Sequence, residues 1–299
     1  MASRTPTVVI RAAPLTGELD GYYYSQPLPA AGPPRLDPFL RLHHHGLMDL
    51  PAGTGMPFGP HPHRGFCTLT VILAGSVVHQ DSHGFKSEVE AGGAPGTAGA
   101  QWMTADRGLI HNESTPQEFL DTGGPLELWI SLPARLKMTP AHYEALPAGR
   151  IVNLHEGAGV RIQLFTGHWH LHPGSYQAPT ATVSALVRVP AGATYALPAP
   201  ATQTVLVYVL RGQPTIAGEA VELRDLVAFN ATEADFGGAP DDTTAPTAGS
   251  GEALLFYCAG EPLREPVVQH GPFAMTTEKK ILEAMRDYQM GKMGVFVNE

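Results

Sequence analysis

The chain has 299 residues, of which 43% are hydrophobic, with two cysteines and a formal net charge of −9. This length gives room for two domains, and the composition excludes both a disordered chain and a disulfide-stapled scaffold. The sequence lacks a run of about 18 apolar residues, its N-terminal segment lacks the apolar core of a secretory signal, and the negative charge disfavours nucleic acid as main partner. We therefore expect a cytoplasmic protein that binds neither membrane nor nucleic acid directly.

The chain contains 33 glycines and 28 prolines, about a fifth of its residues, against roughly 12% in average proteins. Turn formers at this density divide a chain into many short strands. Runs rich in Val, Leu, Ile and aromatic residues predict strands at Thr68–His79, Leu126–Leu132, Val160–Phe165, Thr182–Val189, Thr204–Leu210, Leu223–Phe229 and Ala253–Cys258. Because helical periodicity does not separate these runs, they indicate an all-β sandwich or barrel.

Two segments are predicted to be helical. Thr276–Met290 places Ile281, Met285 and Tyr288 on one face at the spacing of an amphipathic helix. We expect this C-terminal helix to pack on the β structure. The shorter segment Pro140–Leu146 is a second helix candidate.

The domain boundary is expected where the strand spacing is interrupted, at residues 133–149. After it, the turn in LVYVLRG is similar to the turn in TVILAGS of the first half, which indicates two similar β domains in tandem. We place the first domain at residues 1–135 and the second, with the C-terminal helix, at residues 136–299.

Two histidine motifs suit a metal site. His61 and His63 form an H-x-H pair, and residues at i and i+2 of a strand point to the same face. Fifty residues later, His111 and Glu113 form an H-x-E pair. Two antiparallel strands side by side would bring the four groups together as three nitrogens and one carboxylate. This ligand set suits a divalent transition metal with open positions, as in non-haem iron sites.

Each pair alone is weak evidence, because surface histidines at this spacing usually bind nothing, but the two pairs together favour a metal. Other histidines compete for the same role. Because contiguous strand residues alternate faces, we interpret His43–His45 as a polar rim near the pocket mouth rather than as a ligand set. His168, His170 and His172 share one parity and could form a surface metal site, but an exposed interdomain loop is favoured since no acidic residue adjoins them.

Four blocks of the sequence resemble the signature of the pirin family, in order along nearly the whole chain. They are HPHRGF at 61–66, DSHG at 81–84, QWMTADRGLIHNE at 101–113 and GEPLREPVVQHGPF at 260–273. The resemblance implies two tandem cupin β-barrels of jelly-roll type, with a metal only in the N-terminal one. It also implies the metal ligands His61, His63, His111 and Glu113. Residues 182–229 contain no histidine, so an equivalent site cannot be built in the second barrel.

One departure from the family pattern lies next to the metal motif. Pirins commonly carry an acidic residue where this chain has Cys67. If strand alternation continues through it, Cys67 shares the face of His61 and His63, and a carboxylate beside the ligands is missing. The other cysteine, Cys258, falls in the second domain, so we expect two buried thiols and no disulfide.

The resemblance implies that the protein acts as a quercetin 2,3-dioxygenase, opening a flavonol with O₂ and releasing carbon monoxide. The expected partners are then a small planar polyphenol and O₂. A metal, Fe²⁺ by the resemblance with Ni²⁺, Mn²⁺ or Zn²⁺ as alternatives, would bind the deprotonated 3-hydroxyl. Glu113 would then accept the hydroxyl proton as the catalytic general base.

The resemblance also implies a second function, a metal-bound redox or transcription regulator that acts through protein partners. A third alternative is a storage or stress cupin whose metal is only structural. The sequence leaves the metal, the physiological substrate and the oligomeric state open.

Overall fold

A computed structural model describes residues 4–12, 16–19, 22–29, 35–48, 59–94, 96–105, 107–114, 124–231 and 243–297. The described chain consists mostly of strands with one α-helix near the C-terminus, which confirms the predicted all-β class and the C-terminal helix. Among the helices of these residues, none combines the length and the apolar character needed to cross a membrane.

The strands of the first half are β1 (Val8–Ile10), β2 (Thr16–Leu19), β3 (Tyr22–Leu28), β4 (Phe39–Met48), β5 (His61–His63), β6 (Phe66–Ile72), β7 (Ser76–Asp81), β8 (Lys86–Glu90), β9 (Gly99–Thr104), β10 (Leu109–Ser114), β11 (Leu126–Ser131) and β12 (His142–Leu146). The second half contains β13 (Val152–His155), β14 (Arg161–Thr166), β15 (His168–Trp169), β16 (His172–Pro173), β17 (Thr182–Val189), β18 (Leu197–Pro198), β19 (Thr204–Arg211), β20 (Thr215–Ile216), β21 (Glu219–Ala220), β22 (Leu226–Phe229), β23 (Thr243–Thr244), β24 (Ala253–Gly260), β25 (Val268–His270), β26 (Phe273–Met275) and helix α1 (Glu278–Gln289). Single 3-10 turns cover Ala148–Arg150 and Gly157–Gly159.

Packing divides the chain into two compact units. The N-terminal unit contains Leu15–Tyr24, Phe39–Gly149 and Leu263–Glu299, and the C-terminal unit contains Met1–Pro14, Ser25–Pro38 and Arg150–Pro262. This grouping differs from a single cut after residue 135. The difference arises because β1 adds to the edge strand β22 of the C-terminal unit, whereas α1 buries its apolar face against β26 of the N-terminal unit.

The N-terminal unit contains two antiparallel sheets that enclose the residues of the metal motifs. One sheet has the strand order β12-β9-β6-β11-β4-β3-β2, and the other has the order β5-β10-β7-β8. Both sheets are open rather than closed barrels. Their side chains meet: the His63 ring of the small sheet lies 5.1 Å from the rings of Phe66 and Trp129 in the large sheet.

The C-terminal unit is built on one open antiparallel sheet of seven strands, in the order β1-β22-β19-β24-β17-β14-β13. Apolar side chains from its central strands, such as Val187, Val207 and Leu255, are fully buried in one cluster. This cluster is the core of the unit.

Two element predictions differ from the structure. The run Thr68–His79 is two strands, β6 and β7, because a bend at residues 73–75 takes the chain from the large sheet into the small one. The segment Pro140–Leu146 is not helical: its residues from His142 onward form β12, which pairs with β9 over five residues. Pairing with a neighbouring strand outweighs the weak local helix preference here.

The C-terminal helix begins and ends as its sequence predicts. Thr277 is the N-cap, and its side-chain hydroxyl accepts a hydrogen bond from the backbone N–H of Lys280 at 3.3 Å. Ile281 and Ala284 are buried, Met285 packs against the same apolar cluster, and Tyr288 is 38% exposed. The buried face is therefore centred on the first two turns.

Candidate metal centre

Strand pairing brings three histidines together. The short strand β5 carries His61 and His63 on one face, and β10 runs antiparallel beside it with His111 directly opposite His61. His63 and His111 are each 1% exposed, and His61 is half-buried. The three imidazoles of the two motifs therefore lie together, as the strand pairing predicts.

The distances between these rings are those of ligands around a single ion. The Nε2 atom of His61 lies 3.1 Å from Nε2 of His63 and 3.0 Å from Nε2 of His111. Two nitrogens that each lie about 2.1 Å from one ion at right angles are about 3.0 Å apart. The two distances thus fit neighbouring ligands of one ion, with His61 next to both His63 and His111.

Hydrogen bonds at the opposite ring nitrogens fix which atoms can bind a cation. Nδ1 of His61 lies 2.8 Å from the carbonyl oxygen of Gly59, and Nδ1 of His63 lies 3.4 Å from that of Pro272. Because a carbonyl oxygen only accepts, each Nδ1 carries the proton and each Nε2 presents a lone pair. Burial lowers the pKa of both rings, so both are neutral at pH 7. Two lone pairs 3.1 Å apart cannot hydrogen-bond to each other, and a shared cation fits between them.

Glu113 lies beside this group but is held by other residues. It lies opposite His79 in the β10–β7 pair. A carboxylate oxygen of Glu113 lies within 4.8 Å of ligand nitrogens of His79 and His111, but it does not form such a group with all three predicted histidine ligands. The side-chain amide of Gln101 donates a hydrogen bond to Glu113 Oε1. Burial, together with the nearby Glu127 carboxylate, raises the pKa of Glu113 to about 8.

Several polar residues beyond the predicted ligands also lie in this region. His79 is fully buried, its Nε2 lies 3.3 Å from Asp81 Oδ2, and its ring stacks on Tyr143 at 4.1 Å. Tyr143 donates a hydrogen bond to Gln101 Oε1 at 2.9 Å. His79 and Asp81 share the i, i+2 spacing of the metal motifs, and this spacing is the signal that could have revealed them.

The interpretation of His43–His45 as a polar rim is wrong. All three side chains are buried, with exposures of 3%, 5% and 3%. β4 is an inner strand of the large sheet, between β11 and β3, and the ring of His43 packs against those of Tyr24 and His45. His43 and His45 share one face, and Glu127 of β11 lies opposite His43.

The expectation that Cys67 shares a face with the ligand histidines is also wrong. Gly65, with φ of +90°, separates β5 from β6 and interrupts the alternation. Phe66 packs against His63, so its neighbour Cys67 points to the opposite face of β6. There the Cys67 thiol lies 3.5 Å from the hydroxyl of Thr104.

The remaining predicted sites lie in the C-terminal unit. His168, His170 and His172 are exposed, as expected, on the two-strand hairpin β15–β16. The groups of potential metal ligands found among the described residues all lie in the N-terminal unit. Cys258 is a buried free thiol in β24.

Sequence comparisons identify both halves of the chain. Residues 24–130 match the Pirin family, and residues 185–294 match the Pirin C-terminal cupin domain. A Pseudomonas aeruginosa protein provisionally named a quercetin 2,3-dioxygenase is 35% identical over 267 residues, which cover 86% of each chain. Pirin-1 of Arabidopsis thaliana is 33% identical over 264 residues, covering 87% of this chain and 84% of its own.

A solved structure supports the same assignment. A quercetin 2,3-dioxygenase from Acinetobacter baumannii superimposes with a TM-score of 0.81 at 26% identity, covering 99% of this chain and 100% of its own. An Escherichia coli pirin in complex with nickel(II), at 20% identity, shares the fold with a TM-score of 0.63 over 85% of this chain and 99% of its own. With its two cupin domains, this chain belongs to the pirin family.

Proposed function

We propose that the protein is a metal-dependent dioxygenase that opens flavonols such as quercetin with O₂. Membership of the pirin family and relatives named quercetin 2,3-dioxygenases support this activity. The observation that carries the proposal is the convergence of imidazole lone pairs from His61, His63 and His111 within a buried region of one cupin domain. Burying these lone pairs side by side costs free energy, and a shared cation would offset that cost.

We assign His61, His63 and His111 as metal ligands, with Glu113 as the fourth. Glu113 is placed beside His111 by the i, i+2 spacing of β10. A bound divalent ion, Fe²⁺ by expectation with Ni²⁺, Mn²⁺ or Zn²⁺ as alternatives, supplies Lewis acidity that lowers the pKa of a phenolic hydroxyl. The neutral state of the buried histidines suits this role, because a protonated imidazole cannot ligate.

Glu113 is also assigned as the general base. Gln101 occupies Oε1, which leaves Oε2 to accept the proton of the substrate 3-hydroxyl. A pKa raised to about 8 places this carboxyl close to the operating pH, where a general base is most effective.

Two aromatic side chains pack directly against the ligand group. The rings of Phe66 and Trp129 stack at 4.3 Å with an interplanar angle of 24°, and both adjoin His63. Both side chains are buried, at 0% and 4% exposure, so they form an apolar backing for the ligand group. An apolar surrounding of this kind strengthens the electrostatic effect of a bound cation.

The test is single-turnover kinetics with metal-loaded protein. The protein is loaded anaerobically, mixed with quercetin and exposed to O₂, while flavonol absorbance and released carbon monoxide are followed. We expect absorbance loss with equimolar carbon monoxide, and a fall of about 100-fold in rate in Glu113→Gln. A fully loaded sample that leaves flavonols intact would contradict the proposal and favour the regulator alternative.

A further inference from the structure

A second group of potential metal ligands lies in the N-terminal unit, on the large sheet. His43 and His45 occupy alternate positions of β4, so their side chains share a face, whereas His44 points to the other face. The register of β4 with β11 places Glu127 directly opposite His43. Backbone pairing alone therefore brings two imidazoles and one carboxylate together.

The side chains of this group are close and buried. The two imidazole rings stack with centroids 4.2 Å apart and an interplanar angle of 29°. One ligand atom from each of His43, His45 and Glu127 lies within 4.8 Å of the others. The exposed fractions are 3%, 3% and 8%. Three potential ligand atoms from two paired strands therefore lie near one another in a buried position.

The protonation states expected here suit metal binding. Burial lowers the pKa of His43 and of His45, so both rings are neutral and retain a lone pair at pH 7. Burial raises the pKa of Glu127, which reflects the cost of an ionised carboxylate at this position. A divalent cation would offset that cost.

We propose that His43, His45 and Glu127 form a second site for a divalent transition-metal ion, distinct from the three-histidine group. Two neutral imidazoles and one carboxylate are a donor set that Zn²⁺ and Fe²⁺ both accept, with the remaining positions left to water or substrate. The site does not depend on the proposed dioxygenase activity, because it uses none of the residues assigned to that reaction.

Arg41 limits the affinity of this second site. Its guanidinium lies over the Trp129 ring at 5.0 Å, and its positive charge contributes to the lowered pKa values of both His43 and His45. The same charge repels an incoming cation. The Arg41 charge also contributes to the lowered pKa values of His61 and His63, so the order of affinities depends on spacing. Because the lone pairs of the three-histidine group are closer together, we expect the second site to bind at least about tenfold more weakly.

Zinc stoichiometry tests the proposal. The protein is stripped with a chelator, dialysed to equilibrium against graded free Zn²⁺, and analysed for bound zinc by elemental analysis. We expect two zinc ions per wild-type chain and one in the double variant His43→Ala/His45→Ala. The reciprocal variant His61→Ala/His63→Ala should lose the tighter ion and keep the weaker one.

His44→Ala is the matched control, because His44 lies on the same strand and is similarly buried at 5% but faces the other way. It should keep both ions. Glu127→Gln keeps the side-chain shape and removes the charge, and should weaken the second site about tenfold or more, while the three-histidine group still binds its ion. One zinc per wild-type chain, or two in a folded His43→Ala/His45→Ala variant, would overturn the proposal.

Discussion

The hydrogen bond from Gln101 determines which oxygen of Glu113 can accept a proton. The Tyr143 hydroxyl donates to Gln101 Oε1 at 2.9 Å, which orients the amide so that its nitrogen faces Glu113. An amide N–H can only donate, so Glu113 Oε1 must accept, and any proton on this carboxyl resides on Oε2. Gln101 is thus a positioning residue for the proposed base.

Replacing Gln101 should shift the pH dependence of turnover. The hydrogen bond from Gln101 lowers the pKa of Glu113, so Gln101→Leu should raise that pKa further. Because the base must be ionised, the acidic limb of the kcat/KM profile should move to higher pH, with a rate loss of about tenfold at pH 7. Tyr143→Phe, which keeps the amide donor, should have a smaller effect, and an unshifted profile in Gln101→Leu would contradict the assignment.

At the scale of elements, a bend at Gly65 takes the chain from the small sheet of the N-terminal unit into the large one. Gly65 has φ of +90°, and a Cβ atom there would lie 2.2 Å from the carbonyl oxygen of Ala274. The buried ammonium of Lys137 donates to the carbonyl oxygens of both Gly65 and Ala274, at 2.6 and 2.9 Å. This bend lets β5 present its histidines from one sheet while β6 enters the other.

Gly65→Ala should therefore cost much more stability than an equivalent change in open space. Gly84 has nearly the same backbone conformation, φ +87°, and nothing lies within 4 Å of its Cβ position. Gly84→Ala should lower the free energy of unfolding by about 1–2 kcal/mol, the cost of a left-handed backbone conformation in alanine. Gly65→Ala should lower it by at least about 3 kcal/mol, because the new Cβ atom would also displace β26. Urea denaturation measures both, and equal losses would show that the close approach is unimportant.

The C-terminal helix is tied to the metal motif by one ion pair. Arg64, which follows His63 and is 4% exposed, donates to Asp287 Oδ2 of α1 at 3.0 Å and to the carbonyl oxygen of Arg107 at 2.7 Å. The pKa of Asp287 is held below its usual value chiefly by a hydrogen bond from Lys292. The hydrogen bond and the positive charge of Arg64 contribute less. The contact makes helix docking sensitive to acid.

Asp287→Asn should destabilise the protein by about 2 kcal/mol at pH 7, and the difference from wild type should vanish in acid. Because the folded pKa is depressed, the ionised form contributes stability above the unfolded pKa of about 4, and this contribution is lost as pH falls through the folded pKa. Unfolding free energies at pH 7, 5 and 3 measure this. Glu283→Gln on the same helix is the control, and a destabilisation by Asp287→Asn that is constant with pH would contradict the argument.

The sequence predicts these elements well where the signal is local and poorly where it depends on neighbouring strands. The ends of β17 and the position of the C-terminal helix match their predictions because composition and apolar periodicity are local features. The burial of His43–His45 depends on strands packed on both sides of β4, and the face of Cys67 depends on the bend at Gly65. The shared face of His61 and His63 was predictable because i, i+2 spacing fixes it whatever the partners. The approach of His111 depends on the pairing of β10 with β5.

At the scale of the molecule, potential metal ligands and apolar packing are divided between the two units. The metal-ligand groups among the described residues lie in the N-terminal unit, whose buried polar residues include four of its histidines on β4 and β5. The C-terminal unit is held by one large apolar cluster. Metal binding should therefore stabilise the first unit by mass action and leave the core of the second unchanged.

Hydrogen exchange with and without metal tests this division. At free metal about 100 times the dissociation constant, linkage supplies about 2.7 kcal/mol, which slows exchange about 100-fold for amides that are released only when the N-terminal unit opens. We expect chelation to remove that protection from β5, β7 and β10, the strands that carry or flank the ligands. Amides of β17, β19 and β24 should exchange at the same rate in both states, because their protection comes from the apolar cluster. An equal loss of protection in both sets of strands would show that metal binding stabilises the two units together rather than the first alone.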